Sequence, residues 1–426
     1  MSLVIAVTFF GLACLGMPLA FALGFSSLAA LMVGNVDFSV LPQKMMYSLN
    51  AFPLMAIPFF MIAGELMIRA GIMERLFDLA NAFIGRVHGG LANVTMISGA
   101  GLAAVSGAAV ADASALAGSM IRPLSKVYGV GFSSAIVAAA ANLGPIIPPS
   151  NAMIVYAYLA GSSVSVGALF MAGVVPGIII TLGSMALCTL IAWRRNYPLV
   201  GTPVSIANIF LQLRRSLIVL LMPVIVMGGI IIGAFTATEG SAIAVVYSLF
   251  IGFFVTKKLK VSDLPDVLVN AAVTTAMVGA MIAFASTVTF LLTADLMPQK
   301  AAALTMSITQ DPTAFMLIVA VILLLVGMFL ESNAAYIMLV PIFHPIALQL
   351  GIDPVLFGFV FVLNLVLGML TPPVGVVLFV ICGVARISMG ELFKHLWPFV
   401  ILMYGVLLAC IFFPSIVLWL PRLLGF

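Results

Sequence analysis

Long apolar segments, most of them long enough to cross a bilayer, follow one another along almost the whole chain. They run roughly over residues 3–33, 51–68, 91–121, 130–160, 166–193, 216–235, 240–256, 266–294, 313–343, 352–385 and 396–424. Only 7% of the 426 residues are charged, against about 25% in soluble domains. Because lipid cannot satisfy backbone polar groups, segments of this kind cross it as helices. The sequence therefore predicts an all-α, polytopic membrane protein whose surface is covered largely by membrane lipid.

Basic residues cluster in short stretches between these segments. The stretch 194–215 contains Arg194, Arg195, Arg214 and Arg215, and positively charged loops of membrane proteins stay in the cytoplasm. We therefore expect 194–215 to be a cytoplasmic linker. The net charge of +4 is small and lies in such loops, so it sets membrane topology and gives no support to nucleic-acid binding.

The segment 91–121 is too short for the charges that flank it. Arg86 and Arg122 should both be cytoplasmic, but two full crossings between them need about 40 residues. Seventeen of the 22 residues from Ser98 to Ser119 are Gly, Ala or Ser, and small residues let two half-helices pack closely. We therefore predict a re-entrant helical hairpin over about 91–121, with its turn at Ser106-Gly107.

A polar trio, Glu331-Ser332-Asn333, interrupts the apolar segment 313–343. Polar groups at membrane depth are costly unless they line a cavity or bind something. The flanks of this segment lack basic residues, so it should enter from the opposite, periplasmic side. We predict a second re-entrant hairpin over about 313–343, with the trio at its tip.

The two halves of the chain share an internal repeat. The residues that match at one constant offset are Pro123, Gly129 and Asn142 with Pro345, Gly351 and Asn364. A Gly-x-x-x-Pro-Pro pattern follows each Asn, so each hairpin precedes a discontinuous helix, over about 130–160 and 352–385. Two similar units that face opposite ways are typical of secondary transporters. We predict inverted repeats over 1–193 and 216–426.

Interrupted helices expose backbone groups that have no intrahelical partner. Carbonyl groups at the C-terminus of a half-helix can bind a cation, and N–H groups at an N-terminus can bind an anion. Oxygen ligands from Ser, Asn, Thr and the backbone suit a hard monovalent cation such as Na⁺. We predict Na⁺ as the only bound metal, with these ligands: Ser106, Asn142, Gly144, Pro145, Glu331, Ser332, Asn364, Gly368 and Thr371. The alternative that the breaks only shape helix packing stays open.

Residues beside the same breaks are expected to face the substrate. They are Ser150, Asn151, Asn333, Pro372 and Pro373. Small polar side chains and backbone groups freed by proline can contact a solute in the middle of the membrane.

Three further features each allow two interpretations. Segment 3–33 is either one long span or two short helices hinged near Gly16-Met17-Pro18. Asp112 is a membrane carboxylate, which is either functional or a structural acid satisfied by neighbouring donors. Glu65 and Arg69 are spaced for an i, i+4 ion pair at a helix end, which explains them as well as a function does.

Enzyme motifs are missing from the sequence. No Gly-Lys dipeptide occurs, so there is no P-loop and no self-contained ATP-driven pump. No His-Glu-x-x-His occurs either. We expect neither enzyme activity nor a cofactor, with Na⁺ acting only as the coupling ion. Discontinuous helices in inverted repeats favour alternating access over a fixed pore.

Along nearly its whole length the chain resembles the large membrane subunit of tripartite ATP-independent periplasmic (TRAP) transporters. The resemblance is carried by Gly16 to Gly24, Pro58 to Phe60, Ala63 to Met67, Ser106-Gly107 with Ala111-Asp112, Asn142 to Ser150, and Gly368 to Gly375. It implies an elevator mechanism driven by a Na⁺ gradient. It also implies two partners, a small four-helix membrane subunit and a soluble periplasmic substrate-binding protein. Organic anions such as C4-dicarboxylates or sialic acid are the implied substrates.

Sequence and resemblance together predict Na⁺-coupled, binding-protein-dependent uptake of small organic anions. The alternative is a stand-alone Na⁺/organic-anion symporter of the same architecture that needs no binding protein.

Overall fold

The computed structural model describes residues 1–84, 86–200, 205–297, 299–301, 303 and 309–426. Every regular element in these ranges is a helix, as the sequence predicts. Six helical stretches among the described residues are long and apolar enough to cross a membrane. The fold is therefore that of a multi-pass, all-α membrane protein. Residues 201–204 of the predicted linker lie outside the described residues.

The N-terminal segment forms two short helices and not one long span. The first helices are α1 (Ser2–Cys14), α2 (Leu19–Val33), α3 (Val40–Leu49), α4 (Ala56–Arg69) and α5 (Ile72–Ile84). Between α1 and α2, Gly16 has a φ of +84°, which glycine adopts without steric cost. Pro18 then takes the N-cap position of α2. The Gly-Met-Pro sequence is thus the hinge that separates the two helices.

The chain between α5 and the predicted linker forms five α-helices among the described residues. Its helices are α6 (Gly90–Ser106), α7 (Ala109–Tyr128), α8 (Val130–Ala141), α9 (Asn151–Ala160) and α10 (Val166–Arg194). Helix α6 ends at the predicted turn, where Gly107 has a φ of +63°. A Cβ atom on Gly107 would lie 2.6 Å from the carbonyl oxygen of Pro149. Only glycine therefore lets this turn pack against the break between α8 and α9, which we call break one (residues 142–150).

The second half of the chain has a matching order of elements. Its helices are α11 (Ile206–Ile231), α12 (Ala237–Phe250), α13 (Leu264–Ala294), α14 (Pro312–Gly327), α15 (Ser332–Gln349), α16 (Pro354–Gly368), α17 (Val376–Ala385), α18 (Met389–Phe412) and α19 (Ser415–Leu423). Asp311 caps α14 by accepting a hydrogen bond from the Ala314 N–H at 2.7 Å. Asp353 caps α16 in the same way. These acids begin apolar helices at their favoured position, the N-cap.

Each predicted hairpin packs against broken helices of both halves. Helix α6 packs against α8, and α14 packs against α16, so each first arm contacts the broken helix of its own half. The second arm of each hairpin also contacts the broken helix of the other half, since α7 contacts α17 and α15 contacts α9. Helix α4 packs against both α12 and α13. The interruptions thus lie where the two halves of the chain meet.

The buried His344 links α15 by hydrogen bonds to α9 and to the turn that follows α9. The Nδ1 atom of His344 lies 2.9 Å from the Tyr156 hydroxyl, and its Nε2 atom lies 2.8 Å from the Ser163 hydroxyl. The Ser163 hydroxyl donates its proton to the carbonyl oxygen of Ala160 at 2.9 Å. Nε2 must therefore carry the imidazole proton, and Nδ1 accepts from Tyr156.

Ion pairs connect the amphipathic helix α5 to the loop after α12, and the end of α4 to the start of α13. Glu74 pairs with Lys258 at 2.7 Å, and Arg69 pairs with Asp266 at 3.6 Å. The local pairing of Glu65 with Arg69 that the sequence allows is therefore not formed, because α13 offers Arg69 a partner from another element. A local ion pair with Arg69 therefore does not explain the presence of Glu65.

Candidate binding cavity

One cavity lies between the tips of the two predicted hairpins and helices α4 and α13. Its volume is about 690 Å³, which is within the usual range of roughly 300–1,000 Å³ for small-molecule sites. Of the predicted site residues, it is lined by Ser106, Pro145, Asn151, Glu331, Ser332 and Asn333. The structure thus brings together residues that are more than 200 positions apart in the chain, Ser106 and Glu331 among them.

The N-terminal ends of four helices open onto this cavity. The lining includes Ala109 at the start of α7, Asn151 at the start of α9, Ser332 at the start of α15 and Val376 at the start of α17. The first N–H groups of a helix lack intrahelical acceptors, and the helix dipole places partial positive charge there. Ser150 caps the end of α9 and Glu331 that of α15, whereas the ends of α7 and α17 have no side-chain cap and make the cavity suited to an anion.

Break one holds buried polar atoms that lack a partner. Asn142 is fully buried, and neither its Oδ1 nor its Nδ2 atom has a hydrogen-bond partner among the described residues. An unpaired buried polar atom costs about 1–3 kcal/mol. A cation bound there, as the sequence predicts, would be a partner for the Oδ1 atom, whereas the Nδ2 atom is a donor and would need an acceptor.

Asp112 belongs to the same region. Its Oδ1 accepts a hydrogen bond from the Ser106 hydroxyl, while its Oδ2 has no partner among the described residues. A Cβ atom on Gly144 would lie 2.5 Å from that Oδ2, so the free carboxylate oxygen faces the backbone of break one. Oxygen atoms from Ser106, Asp112, Asn142 and the backbone near Gly144 fit the preference of Na⁺ for oxygen ligands.

Hydrogen bonds of Ser150 and Asn151 stabilise the conformation of break one. The Ser150 hydroxyl donates to the Pro145 carbonyl oxygen at 2.7 Å and accepts from the Met153 N–H at 3.4 Å. Ser150 is therefore an N-cap of α9 and does not line the cavity. Its neighbour Asn151 does, and its Nδ2 donates to the Ser106 carbonyl oxygen at 3.4 Å. Of these two predicted substrate-facing residues, only Asn151 reaches the cavity wall.

The second break, residues 369–375, is packed directly on hairpin two. A Cβ atom on Gly368 would lie 2.6 Å from the Cα of Gly327, so both positions require glycine. The carbonyl oxygen of Met328 accepts from the N–H groups of Val374 and Gly375, each at 3.2 Å. Sequence reasoning missed Gly327, although its place just before the polar trio was a usable signal.

Polar side chains in the second break and in the helix before it have more hydrogen bonds than Asn142 of break one. The Nδ2 atom of Asn364 donates to the Ala320 carbonyl oxygen at 2.8 Å, while its buried Oδ1 has no partner among the described residues. The Thr371 hydroxyl donates to the Leu367 carbonyl oxygen at 3.1 Å. Pro372 and Pro373 are joined by a cis peptide bond, as are Pro148 and Pro149. Neither Pro372 nor Pro373 lines the cavity.

Glu331 lies in the cavity wall as the N-cap of α15. Its Oε1 accepts from the Ser332 hydroxyl at 3.2 Å and from the Asn333 Nδ2 at 2.9 Å. Its Oε2 accepts from the Asn333 N–H at 3.0 Å. The carboxylate is thus engaged within its own turn, which explains how the polar trio begins a helix inside an apolar segment.

Helices α4 and α13 supply lining residues that the sequence analysis did not select. They include Met61, Gly64, Glu65, Thr274 and Met281. Gly64 approaches the hairpin tip closely, since a Cβ there would lie 3.3 Å from the Cα of Ser106. The carboxylate at Glu65, in a membrane-depth helix, was the available signal.

Comparison with protein families gives one match that covers most of the chain. Residues 6–416 match the model of the tripartite ATP-independent periplasmic transporter, DctM component.

Individual relatives match over almost the same length. The chain is 40% identical to the uncharacterized protein YgiK of Salmonella typhimurium over 413 residues, which is 96% of this chain and 94% of that protein. It is 38% identical to the isethionate TRAP transporter permease protein DctMQ of Oleidesulfovibrio alaskensis, over 94% of this chain and 63% of that protein. It is 36% identical to the C4-dicarboxylate TRAP transporter large permease protein DctM of Pseudomonas aeruginosa, over 95% and 94%.

A solved structure has the same fold. The Alcanivorax borkumensis YdaH transporter, described as having an unusual topology, matches with a TM-score of 0.65 at 14% identity. The match covers 88% of this chain and 87% of that one.

Proposed function

Since the chain belongs to the DctM component family of tripartite ATP-independent periplasmic transporters, it is a transporter permease and not an enzyme, and we propose that it takes up a small organic anion with Na⁺ across the bacterial inner membrane. In this proposal it works with a small four-helix membrane subunit and a periplasmic substrate-binding protein. C4-dicarboxylates, sialic acid and isethionate are the substrate types to test first, because relatives are named for them.

The observation that carries the proposal is the meeting of four helix N-termini at one cavity, two of which, those of α7 and α17, have no side-chain cap. No Lys, Arg or His lies among the described residues that line it. An anion there would be held by backbone N–H groups and helix dipoles, with additional positive charge from the coupling ion. Asn151 and Asn333 reach this cavity and would contact the substrate. Ser150, Pro372 and Pro373 would act indirectly, by shaping the two breaks.

The coupling ion would bind at the breaks. In break one the ligands would be Ser106, Asn142 and the backbone near Gly144 and Pro145, and we add Asp112 to them. In the second break they would be Ser332, Asn364, Gly368 and Thr371, whereas Glu331 would support the hairpin tip. Na⁺ at break one would give the unpaired Oδ1 of Asn142 and the unpaired Oδ2 of Asp112 a partner.

Coupling would follow from this arrangement. An ion that fixes the conformation of a break also fixes the helix N-terminus that begins at its end, and this N-terminus faces the anion. Na⁺ and substrate would therefore each strengthen the binding of the other, by the same factor. A carrier that binds both together can use the inward Na⁺ gradient to accumulate the anion.

Movement would take the form of an elevator. Hairpins one and two, which we propose to be re-entrant, and the two broken helices would move as one body against α4, α12 and α13. The cavity lies at the boundary between these two sets of helices, so a substrate there would be carried by the moving body and covered by the static one.

The decisive experiment is uptake into proteoliposomes that contain the full permease with its small subunit. Labelled succinate, isethionate and sialic acid would be offered with an inward gradient of Na⁺ or of K⁺, with and without the purified binding protein. We expect accumulation of at least one anion that requires both Na⁺ and the binding protein. Equal uptake without the binding protein would favour the stand-alone symporter, and equal uptake in K⁺ would refute Na⁺ coupling.

A further inference from the structure

The cavity contains a carboxylate that the binding of an anion does not explain. Glu65 and Glu331 are the charged side chains among the described residues that line it. A second negative charge facing an anionic substrate would weaken binding, because like charges at close range repel. The carboxylates of Glu65 and Glu331 must therefore each have a role other than contact with the negatively charged group of the substrate.

Glu331 is accounted for by its own turn. Three donors within two residues of it, from Ser332 and Asn333, hold both of its oxygen atoms. It caps α15 and has little hydrogen-bonding capacity left for a substrate.

Glu65 has no such role. No described residue donates a hydrogen bond to its carboxylate or forms an ion pair with it, and its neighbour in the helix, Arg69, is paired with Asp266 at 3.6 Å. The side chain is half-buried and projects from α4 into the cavity. The preceding residue, Gly64, contacts the tip of hairpin one at Ser106, so Glu65 lies beside the helix N-termini that would hold the anion.

An unpartnered carboxylate at membrane depth is costly unless something in the cavity donates to it. We propose that Glu65 accepts a hydrogen bond from a donor group on the substrate, and that the substrate is therefore a hydroxylated or zwitterionic organic acid and not a bare dicarboxylate. This inference rests on the proposed function and narrows its substrate class. The acid group of the substrate would face the helix N-termini, and its hydroxyl or ammonium group would face α4.

The test compares acids that differ by a single donor group. Ethanesulfonate, isethionate and taurine share a sulfonate, and the last two add a hydroxyl or an ammonium group. Succinate and malate differ by one hydroxyl. Each would be titrated, in Na⁺ buffer, against the purified permease with its small subunit and without the binding protein. The readout is the rise in unfolding temperature, because a ligand that binds only the native state raises it with concentration.

For the wild type, we expect at least one donor-bearing acid to reach half-saturation at a concentration about tenfold or more below that of its bare counterpart. Glu65→Leu should remove this difference. Glu65→Gln should retain a preference for a hydroxyl, which an amide oxygen can accept, and lose a preference for an ammonium group. Thr293→Val is the matched control, since Thr293 lies on α13 outside the cavity and donates to its own helix at Thr289, 2.8 Å away.

Four outcomes would overturn the inference. Bare and donor-bearing acids could bind equally to the wild type, or Glu65→Leu could keep the preference. Glu65→Leu could also abolish the stabilisation by Na⁺ alone, which would make Glu65 an ion ligand. Finally, no acid could stabilise the wild type in Na⁺ at any concentration, which would remove this inference, whereas the proposed function would be judged separately by uptake in the presence of the binding protein.

Discussion

The replacement of Asn142 by alanine tests the proposed ion site most directly. Asn142 is fully buried, and both of its polar side-chain atoms lack partners among the described residues. Without Na⁺, each unpaired atom costs about 1–3 kcal/mol. Alanine removes this cost, but it also removes packing contacts whose loss destabilises the protein by a similar amount. We therefore expect the stability of the variant in Na⁺-free buffer to be close to that of the wild type.

In Na⁺ the two proteins should differ. If the Asn142 oxygen is a ligand, its loss removes an interaction with a charged group that is worth about 1.5–3 kcal/mol. Since about 1.4 kcal/mol corresponds to a factor of ten, the Na⁺ concentration for half-maximal stabilisation should rise at least about tenfold. The assay is the unfolding temperature as a function of Na⁺ at constant ionic strength, with K⁺ as the replacement ion.

Asn93→Ala is the matched control. Asn93 is a buried asparagine in α6 whose Oδ1 is also unpaired, but its Nδ2 donates to Thr189 at 2.8 Å and it does not line the cavity. Its replacement should change stability equally in both salts. An unchanged Na⁺ dependence in Asn142→Ala would refute the assignment of Asn142 to the ion site.

Three further substitutions follow from the same structure. Ser106→Ala removes the donor to Asp112, so half-maximal Na⁺ activation of uptake should require about tenfold more Na⁺. Gly368→Ala should lower the free energy of unfolding by about 1–3 kcal/mol, as overpacking does, because the added Cβ would lie 2.6 Å from Gly327; chemical denaturation would measure this. The Ser2 backbone and hydroxyl donors hold the pKa of Asp295 below its usual 3.8, so the carboxylate stabilises the fold above about pH 4 and loses this contribution as pH falls. Asp295→Asn should flatten the acid limb of a plot of unfolding temperature against pH.

The first two of these substitutions each have a control in the same part of the chain. Ser114→Ala changes a serine that lines the cavity but donates to its own helix at Val110, and it should leave Na⁺ activation unchanged. Gly383→Ala adds a Cβ in open space and should cost little. An Asp295→Asn variant with the wild-type acid limb, or a Gly368→Ala variant of full stability, would contradict the packing and bonding described here.

The sequence predicted those features in which a local pattern is energetically favourable in only one conformation or environment. Apolar segments and sparse charge determine an all-helical membrane protein, because no other solvent covers such a surface. Gly107 and the Gly16 to Pro18 sequence locate turns, since these residues fit conformations that others adopt poorly. The polar trio at Glu331 marks the start of a helix for the same reason, because an unsatisfied polar group inside the membrane would be too costly.

Only the tertiary structure decided which distant residues share a site. It brought Asp112 to break one and left Pro372 and Pro373 outside the cavity. It also gave Arg69 to Asp266 and left Glu65 free to face the cavity. Periodicity and spacing report on neighbours within one helix, whereas the partner of a charge depends on which helices pack together. That packing depends on contacts summed over the whole chain, so it cannot be derived from any single segment.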